Sequence, residues 1–510
     1  MSARVRLRPG CHLAVSWGIA DQFGGMTAAL LHRSRAFVRL GGVEVDVVTF
    51  DLRPDYPAVA ERLRTAGELI DGMRLHNLWD WLRDHAPSVD ADAADAAARA
   101  VFTPLGVDPA YGSEWRDGRE MTRIRYADDG TTQLQVDHYR LDGSLAASDR
   151  RDVRRRGTTG GRSIVWCDRA GRPLRRWTQA RSLYRWWLDR LRDDRPTTLI
   201  VDSKTSARFL LGYRRRGLLT FHVVHASHRQ GKEGTAVRAS RADVFGSPDG
   251  FDRLVFLTQR QRNDARELLG PDAPLTVIPN SRTMAPGGPT PAPRDAGRGI
   301  VLASLEKRKR VDHAVRAVAN ASSPATLDIF GDGPERHRVE RAAAQAPGIT
   351  VHGYRADASS ELGRSSFLLL SSRSEGFPLV LVESMASGCL PIAYDIPYGP
   401  ADIIRNGHNG FLVPAGDVAN LTAAVDHLIG LPAEQVAALR RNAVRTAARF
   451  SDDAVTARWA REIDRAAVGR GIPPAAPVRA VTFRLRRGIA RRVRLLRQRS
   501  NRSGEAAGRG

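Results

Sequence analysis

Residues 367–383 read Phe-Leu-Leu-Leu-Ser-Ser-Arg-Ser-Glu-Gly-Phe-Pro-Leu-Val-Leu-Val-Glu. The apolar run Phe367–Leu370, closed by two serines, has the pattern of a strand buried in a parallel sheet and followed by a loop. Pro378 suits the first turn of a helix, where its missing N–H costs nothing. The chain thus passes from strand to loop to helix N-terminus, and in open α/β sheets ligands bind at that place. Backbone N–H groups at the positive end of the helix dipole suit a diphosphate or a sugar hydroxyl. Glu375 lies in the loop and Glu383 about one and a half turns along the helix, so both carboxylates reach one ligand. A carboxylate is also the group that accepts from vicinal ribose hydroxyls. Two glutamates eight apart are by themselves most often surface acids.

Outward from this stretch the pattern repeats. The strands GIVLAS, ATLDIF, ITVHG, FLLLSS and LPIAYD, each followed by a turn or a helical segment, predict a doubly wound domain over 297–470. Helical patterns at 417–429, 433–449 and 452–468 complete it. Towards the N-terminus, His12–Ile19, the turn Gly24-Gly25-Met26-Thr27, a helix through Leu30 and Phe37, and the alternating strand Val43–Phe50 form a βαβ unit of Rossmann type. A second such domain is expected over 1–282. Within it, residues of about 105–180 alternate in short runs between the turns DDG, DGS and TGG, which reads as a β-rich insertion. Helix, strand and helix then follow at Ala180–Arg192, 197–202 and Thr205–Arg216, and strands at Leu218–His225 and Leu254–Thr258. The Pro/Gly-rich stretch Pro286–Pro293 marks a linker at 283–296. The fold class expected is α/β, with two Rossmann-like domains.

The chain has 510 residues, 42% hydrophobic and 26% charged, the composition of an ordinary globular protein of two or three domains. No apolar run approaches the ~20 residues of a membrane helix, and a cytoplasmic protein is expected. Cys11, Cys167 and Cys389 stand far apart with no metal-ligand spacing and read as buried small apolar residues. No DxD-type dyad is placed to hold a metal–diphosphate; Asp152, Asp168 and Asp202 stand singly. Formal net charge is +23, and 471–510 alone holds eleven Arg against one Glu. Such a field attracts polyanions: nucleic acid, anionic lipid or an anionic polymer. In the tail, Val478, Val481, Leu485, Ile489, Val493 and Leu496 recur at helical steps among arginines, the pattern of an amphipathic basic helix. Residues 478–499 are therefore expected to dock on an anionic membrane surface, peripherally on the inner face of the plasma membrane. Nucleic acid is the weaker reading, because no recognisable nucleic-acid motif accompanies the charge.

The string Ser374–Glu383, continued by Ala386-Ser387-Gly388-Cys389-Leu390-Pro391-Ile392 and Asn406-Gly407-His408-Asn409-Gly410-Phe411-Leu412-Val413, closely resembles the donor-binding signature of glycosyltransferase family 4. These are retaining enzymes of GT-B fold, in which two Rossmann-like domains face a cleft. The resemblance implies that Glu375 lies beside the transferred sugar and that Glu383 binds the nucleotide ribose. It implies backbone contacts to sugar and phosphate from Gly376, Phe377, Pro378 and Leu379. Leu305–His313 resembles the family's Arg-Leu…Lys-Arg segment, with Lys309 at the position of the diphosphate-binding lysine and either Lys307 or Arg308 expected to take over one phosphate contact, unless the diphosphate site is weaker than usual. Ser304 departs from the family arginine. Gly331 and Gly333 match a glycine pair that lets the backbone approach the nucleotide. Gly24 and Gly25 resemble the loop that faces the donor phosphates across the cleft. His225 matches a histidine near the transferred sugar, with His228 as the alternative.

The pieces at 394–404 and 24–35, with the β-rich insertion, look most like the branch that glycosylates wall teichoic acid and related poly(glycerol- or ribitol-phosphate). The resemblance implies a retaining hexosyltransferase that moves a hexose or N-acetylhexosamine from a nucleotide diphosphate sugar, UDP first, to a cell-surface glycopolymer. It implies no cofactor and no metal, an insertion serving oligomerisation and acceptor binding, and hence a homo-oligomer. The competing reading, for which Ser304 speaks, is a catalytically silent GT-B partner that binds glycan and supports another transferase.

Overall fold

The computed structural model describes residues 5–85, 102–155, 158–230, 236–284 and 294–472. The linker stretch Pro286–Pro293 and the tail helix expected at 478–499 lie outside the described residues. Residues up to Ala466 form one compact unit; Ala467 begins a second, described only to residue 472.

The first sheet begins with β1 (Cys11–Val15), β2 (Val45–Thr49) and β3 (Met73–Asn77). The chain then builds β4 (Gly112–Arg116), β5 (Arg119–Tyr126), β6 (Gln133–Tyr139), β7 (Leu145–Arg155), β8 (Thr158–Cys167) and β9 (Pro173–Trp177), which pair in sequence order as an antiparallel sheet. It returns through the helix Ala180–Arg192 to β10 (Thr197–Val201), β11 (Leu218–Val224), β12 (Arg253–Phe256) and β13 (Leu275–Val277). The first sheet is parallel throughout, in the order β13-β12-β11-β10-β1-β2-β3. β1, β2, β10 and β11 are buried along their whole length, as strands covered by helices on both faces must be.

The second parallel sheet holds β14 (Arg298–Leu302), β15 (Thr326–Phe330), β16 (Ile349–Gly353), β17 (Phe367–Leu370), β18 (Leu390–Asp395) and β19 (Phe411–Pro414) in the order β16-β15-β14-β17-β18-β19. This is the Rossmann order, and strand order reverses between β14 and β17, where ligands of such sheets bind. In the first sheet the corresponding reversal lies between β1 and β10.

The β-rich insertion is a built part of the core. Trp166 and Trp177 pack on Trp186 of the following helix, at 5.5 and 5.1 Å between ring centroids. The Arg140 guanidinium donates to the carbonyls of Arg83, Leu145, Cys167 and Asp168 at 2.7–3.0 Å, tying the insertion to the first domain. The last helix, Asp452–Gly469, crosses back: its Trp459 lies against Phe37 and Phe221, and its Glu462 accepts from Arg253 at 2.6 Å. The three cysteines are free and buried. No helix among the described residues is long and apolar enough to cross a membrane.

Gly331 leaves β15 at φ +150°, and a Cβ there would sit 1.8 Å from the Ala303 carbonyl oxygen. Gly333, at φ +152°, lies close to the Leu305 backbone in the same way. Amides of Ala303 and Leu305 donate to Phe330 and Asp332, so the two loops are laced together. Gly331→Ala is expected to cost about 1–3 kcal/mol, read as a lower urea midpoint; an unchanged midpoint would show that the loops yield freely.

Candidate functional site

At the switch point of the second sheet, the loop after β14 meets the loop after β17. The Arg373 amide donates to the Arg308 carbonyl at 2.8 Å, and an Arg308 guanidinium N–H donates back to the Ser374 carbonyl at 3.0 Å. The Ser371 hydroxyl donates to the Arg310 carbonyl at 2.8 Å, with the Lys309 carbonyl at 3.2 Å. Arg310 itself takes the left-handed conformation, φ +47°, to open the helix Val311–Ala319. So held, Lys309 donates from Nζ to Glu375 Oε1 at 2.7 Å, and Arg308 lies 3.3 Å from the same oxygen. The Glu375 side chain is 10% exposed and Lys309 17%, so water screens this pair only partly.

Gly376 is one point at which the two domains touch. A Cβ on it would lie 1.8 Å from the carbonyl oxygen of His225, at the end of β11. Phe377 is buried with its ring 5.4 Å from Phe450. Pro378 serves as N-cap of the helix Leu379–Ala386, one position before the first turn in which the sequence reading put it. No side chain caps that helix and no acid lies in its first turn, and the Leu381 amide bonds the Pro378 carbonyl at 3.0 Å. Glu383 projects from the helix and pairs with Arg282, a residue without any sequence signal.

Across the cleft wall, His225 Nε2 lies 2.7 Å from Asp202 Oδ1. Arg33 grips the same carboxylate with two N–H donors, at 2.9 Å to Oδ1 and 2.6 Å to Oδ2, and its guanidinium also covers the Trp459 ring. Neither Asp202 nor Arg33 had been singled out as a site residue. His228, the alternative to His225, is fully buried between the rings of Phe245 and Tyr398, and neither of its ring nitrogens has a hydrogen-bond partner among the described residues. That setting packs a ring rather than presenting a polar atom to a ligand. Gly24 and Gly25 sit exposed at the N-terminus of the helix Gly25–Arg39, with open space where side chains would stand. Lys307 lines a pocket with Glu306, Arg310, Glu335 and Arg338 whose lining does not include Glu375. The fold joins Lys309 and Arg308 to Glu375. Among the described residues no group of His, Cys, Asp and Glu is arranged to hold a metal ion.

Burial alone would raise the Asp202 carboxyl, but Arg33 and His225 outweigh it and hold the group down at about 2. Asp452, facing His32 and Thr283, is likewise held at about 2 against its burial. Burial pushes the His222 imidazole down to about 3 and that of His228 to about 4. In the unfolded chain imidazoles take up protons near 6.5 and aspartates near 3.8, before their folded counterparts do. These four groups thus bind fewer protons in the folded state, and their contribution to stability falls as pH falls, first on the imidazoles below 6.5 and then, below 3.8, on the two carboxylates. Asp51, which burial pushes up to about 6, works the other way between 6 and 3.8. The urea midpoint is expected to drop from pH 7.5 to pH 4.5, and less in His228→Phe, which keeps the stack without a ring nitrogen. Equal drops in the wild type and His228→Phe would contradict the burial of a neutral His228 imidazole.

An exopolysaccharide phosphotransferase of Streptomyces coelicolor is 38% identical over 219 residues, 41% of this chain, but the match spans only 23% of that protein. A poly(ribitol-phosphate) alpha-N-acetylglucosaminyltransferase of Staphylococcus aureus is 18% identical over 489 residues, 86% of this chain and 96% of the relative. The crystal structure of S. aureus TarM with UDP, fondaparinux and alpha-GlcNAc-glycerol superposes with a TM-score of 0.65 at 16% identity, covering 89% of this chain and 99% of that one. The chain has the GT-B fold of two Rossmann-like domains, and its residues 298–430 match the family of glycosyl transferases group 1.

Proposed function

We propose that this protein is a retaining glycosyltransferase, moving a hexose or N-acetylhexosamine from a UDP-sugar to a hydroxyl of an anionic cell-surface glycopolymer of the polyol-phosphate kind. The observation that carries the reading is the cluster at the β14/β17 switch point, where Lys309 and Arg308 converge on Glu375 opposite His225. When the bond from the sugar's anomeric carbon to the diphosphate oxygen breaks, negative charge builds on that oxygen and positive charge on the sugar. Lys309 and Arg308 stabilise the first. Glu375 stands beside the second and accepts from sugar hydroxyls, and the acceptor hydroxyl adds on the face the diphosphate leaves, passing its proton to the leaving phosphate oxygen. Glu383, one oxygen on Arg282, takes the ribose hydroxyls with the other. The first amides of the helix Leu379–Ala386 and those of Gly24 and Gly25 bind phosphate from the two sides.

The relative of S. aureus is named for a poly(ribitol-phosphate) acceptor, and TarM was solved with UDP. The net charge of +23 suits such a polyanion. The test is hydrolysis and transfer with a panel of UDP-, GDP- and ADP-sugars in the presence of EDTA, with purified polyol-phosphate polymer as acceptor. Turnover of one donor by the wild type, stimulated by the polymer, is the expected result. No turnover of any donor while UDP still binds would sink the enzyme reading in favour of a silent glycan-binding partner.

A further inference from the structure

Asp202 and Arg33 are two opposite charges at the switch point of the first sheet, and the mechanism above uses neither. Asp202 follows β10, its amide donating to the Val15 carbonyl at 2.9 Å, and its side chain is wholly buried. Arg33 belongs to the helix Gly25–Arg39, the one that opens on the Gly24-Gly25 turn. Its side chain is 9% exposed. Burying two ions carries a large desolvation cost, and a pair of this kind is seldom worth more to stability than an apolar substitute. A bidentate guanidinium does fix the plane of a carboxylate. With that plane fixed, Oδ1 points one way, and His225 Nε2 stands 2.7 Å from it.

The chemistry then decides the imidazole. An ionised carboxylate only accepts, so the nitrogen beside it must carry the hydrogen. A neutral His225 is thereby left with its lone pair on Nδ1, the ring's remaining hydrogen-bonding atom. We propose that Asp202, locked by Arg33, is a positioning residue that keeps the His225 proton on Nε2 and offers Nδ1 as acceptor to a hydroxyl of the transferred sugar. The proposal rests on the transferase reading for the identity of that hydroxyl, though not for the position of the proton. It also gives the buried pair its use: a free imidazole exchanges tautomers and rotates, and this one does neither.

The test has two arms. Long-range 1H–15N correlation spectra of the ligand-free full-length protein at pH 7.5, with His225 assigned from its absence in His225→Phe, are expected to show a protonated Nε2 with a downfield, slowly exchanging proton and an unprotonated Nδ1. Arg33→Met/Asp202→Leu removes both buried charges together, so neither is stranded. This double variant is expected to lose the downfield proton and about 100-fold in kcat, while its Kd for UDP stays that of the wild type. An unprotonated Nε2 in the wild type, or a double variant with wild-type kcat, overturns the proposal. Should the double variant fail to unfold cooperatively, the wild-type spectrum decides alone. Because that spectrum needs no donor, an expected spectrum beside a wild type that turns over no donor overturns the transferase reading and leaves the proton placement standing.

Discussion

Gly376→Ala is expected to lower kcat by about 100-fold or more while the chain still folds. The added Cβ would lie 1.8 Å from the His225 carbonyl oxygen, where real contacts stay beyond 3.0 Å. One of the two backbones must retreat by roughly an ångström, a displacement that costs about two orders of magnitude when it separates reacting groups. The loop that moves carries Glu375, and the strand end that resists carries His225. Gly376 is not in a left-handed conformation, so the effect is steric and not a matter of backbone strain. Steady-state kinetics on the donor identified by the panel, with urea unfolding as control, would check it. Near wild-type kcat in a folded Gly376→Ala would mean that the approach of the two domains at this point is not needed for turnover.

Lys309→Ala is expected to cost about 100- to 1000-fold in kcat, the scale on which removing a preorganised group that meets developing charge is felt. Arg308 remains 3.3 Å from Glu375, but it is 41% exposed against 17% for Lys309, and a more solvated cation stabilises less. Arg308→Ala should therefore be the milder variant of the two. The check is kcat and KM for each, and equal losses in both would mean that the exposed cation carries as much of the phosphate charge as the half-buried one.

Much of this arrangement was legible in the chain because local pattern and tertiary role agree. Phe367–Leu370 is a fully buried strand, and the helix Ala180–Arg192 has the bounds its pattern gives. Glu375 and Lys309 were found through a motif, and the crossing order of the second sheet explains why they meet: β14 and β17 are neighbours although β15 and β16 come between them along the chain. Where local pattern misled, a backbone turn intervened. The helix expected over Thr205–Arg216 stops at Leu210, because Leu211 leaves the helical region with ψ 124° and Gly212 turns with φ +69°. The strand expected to reach Ile19 ends at Val15, where the Ser16 hydroxyl bonds the Gly18 carbonyl in a local turn.

What no pattern held were the partners. Arg33 lies 169 residues from Asp202, and Arg282 lies 101 from Glu383. A lone arginine on a helix and a lone aspartate after a strand look like solvated charges until the fold brings them into one buried contact. Asp202 did carry half a signal, since it ends a strand next to the switch point. The other half, an arginine one helix away on the far side of β1, becomes visible only in three dimensions.

The most direct measurement is NMR of transfer from a UDP-sugar labelled with 13C at the anomeric carbon, comparing wild type with Glu375→Ala and Lys309→Ala. Expected is an α-linked product from the α-linked donor in the wild type, with signal in neither variant over the same time. A β-linked product, or product formation at wild-type rate in either variant, would contradict a retaining site built on Glu375 and Lys309.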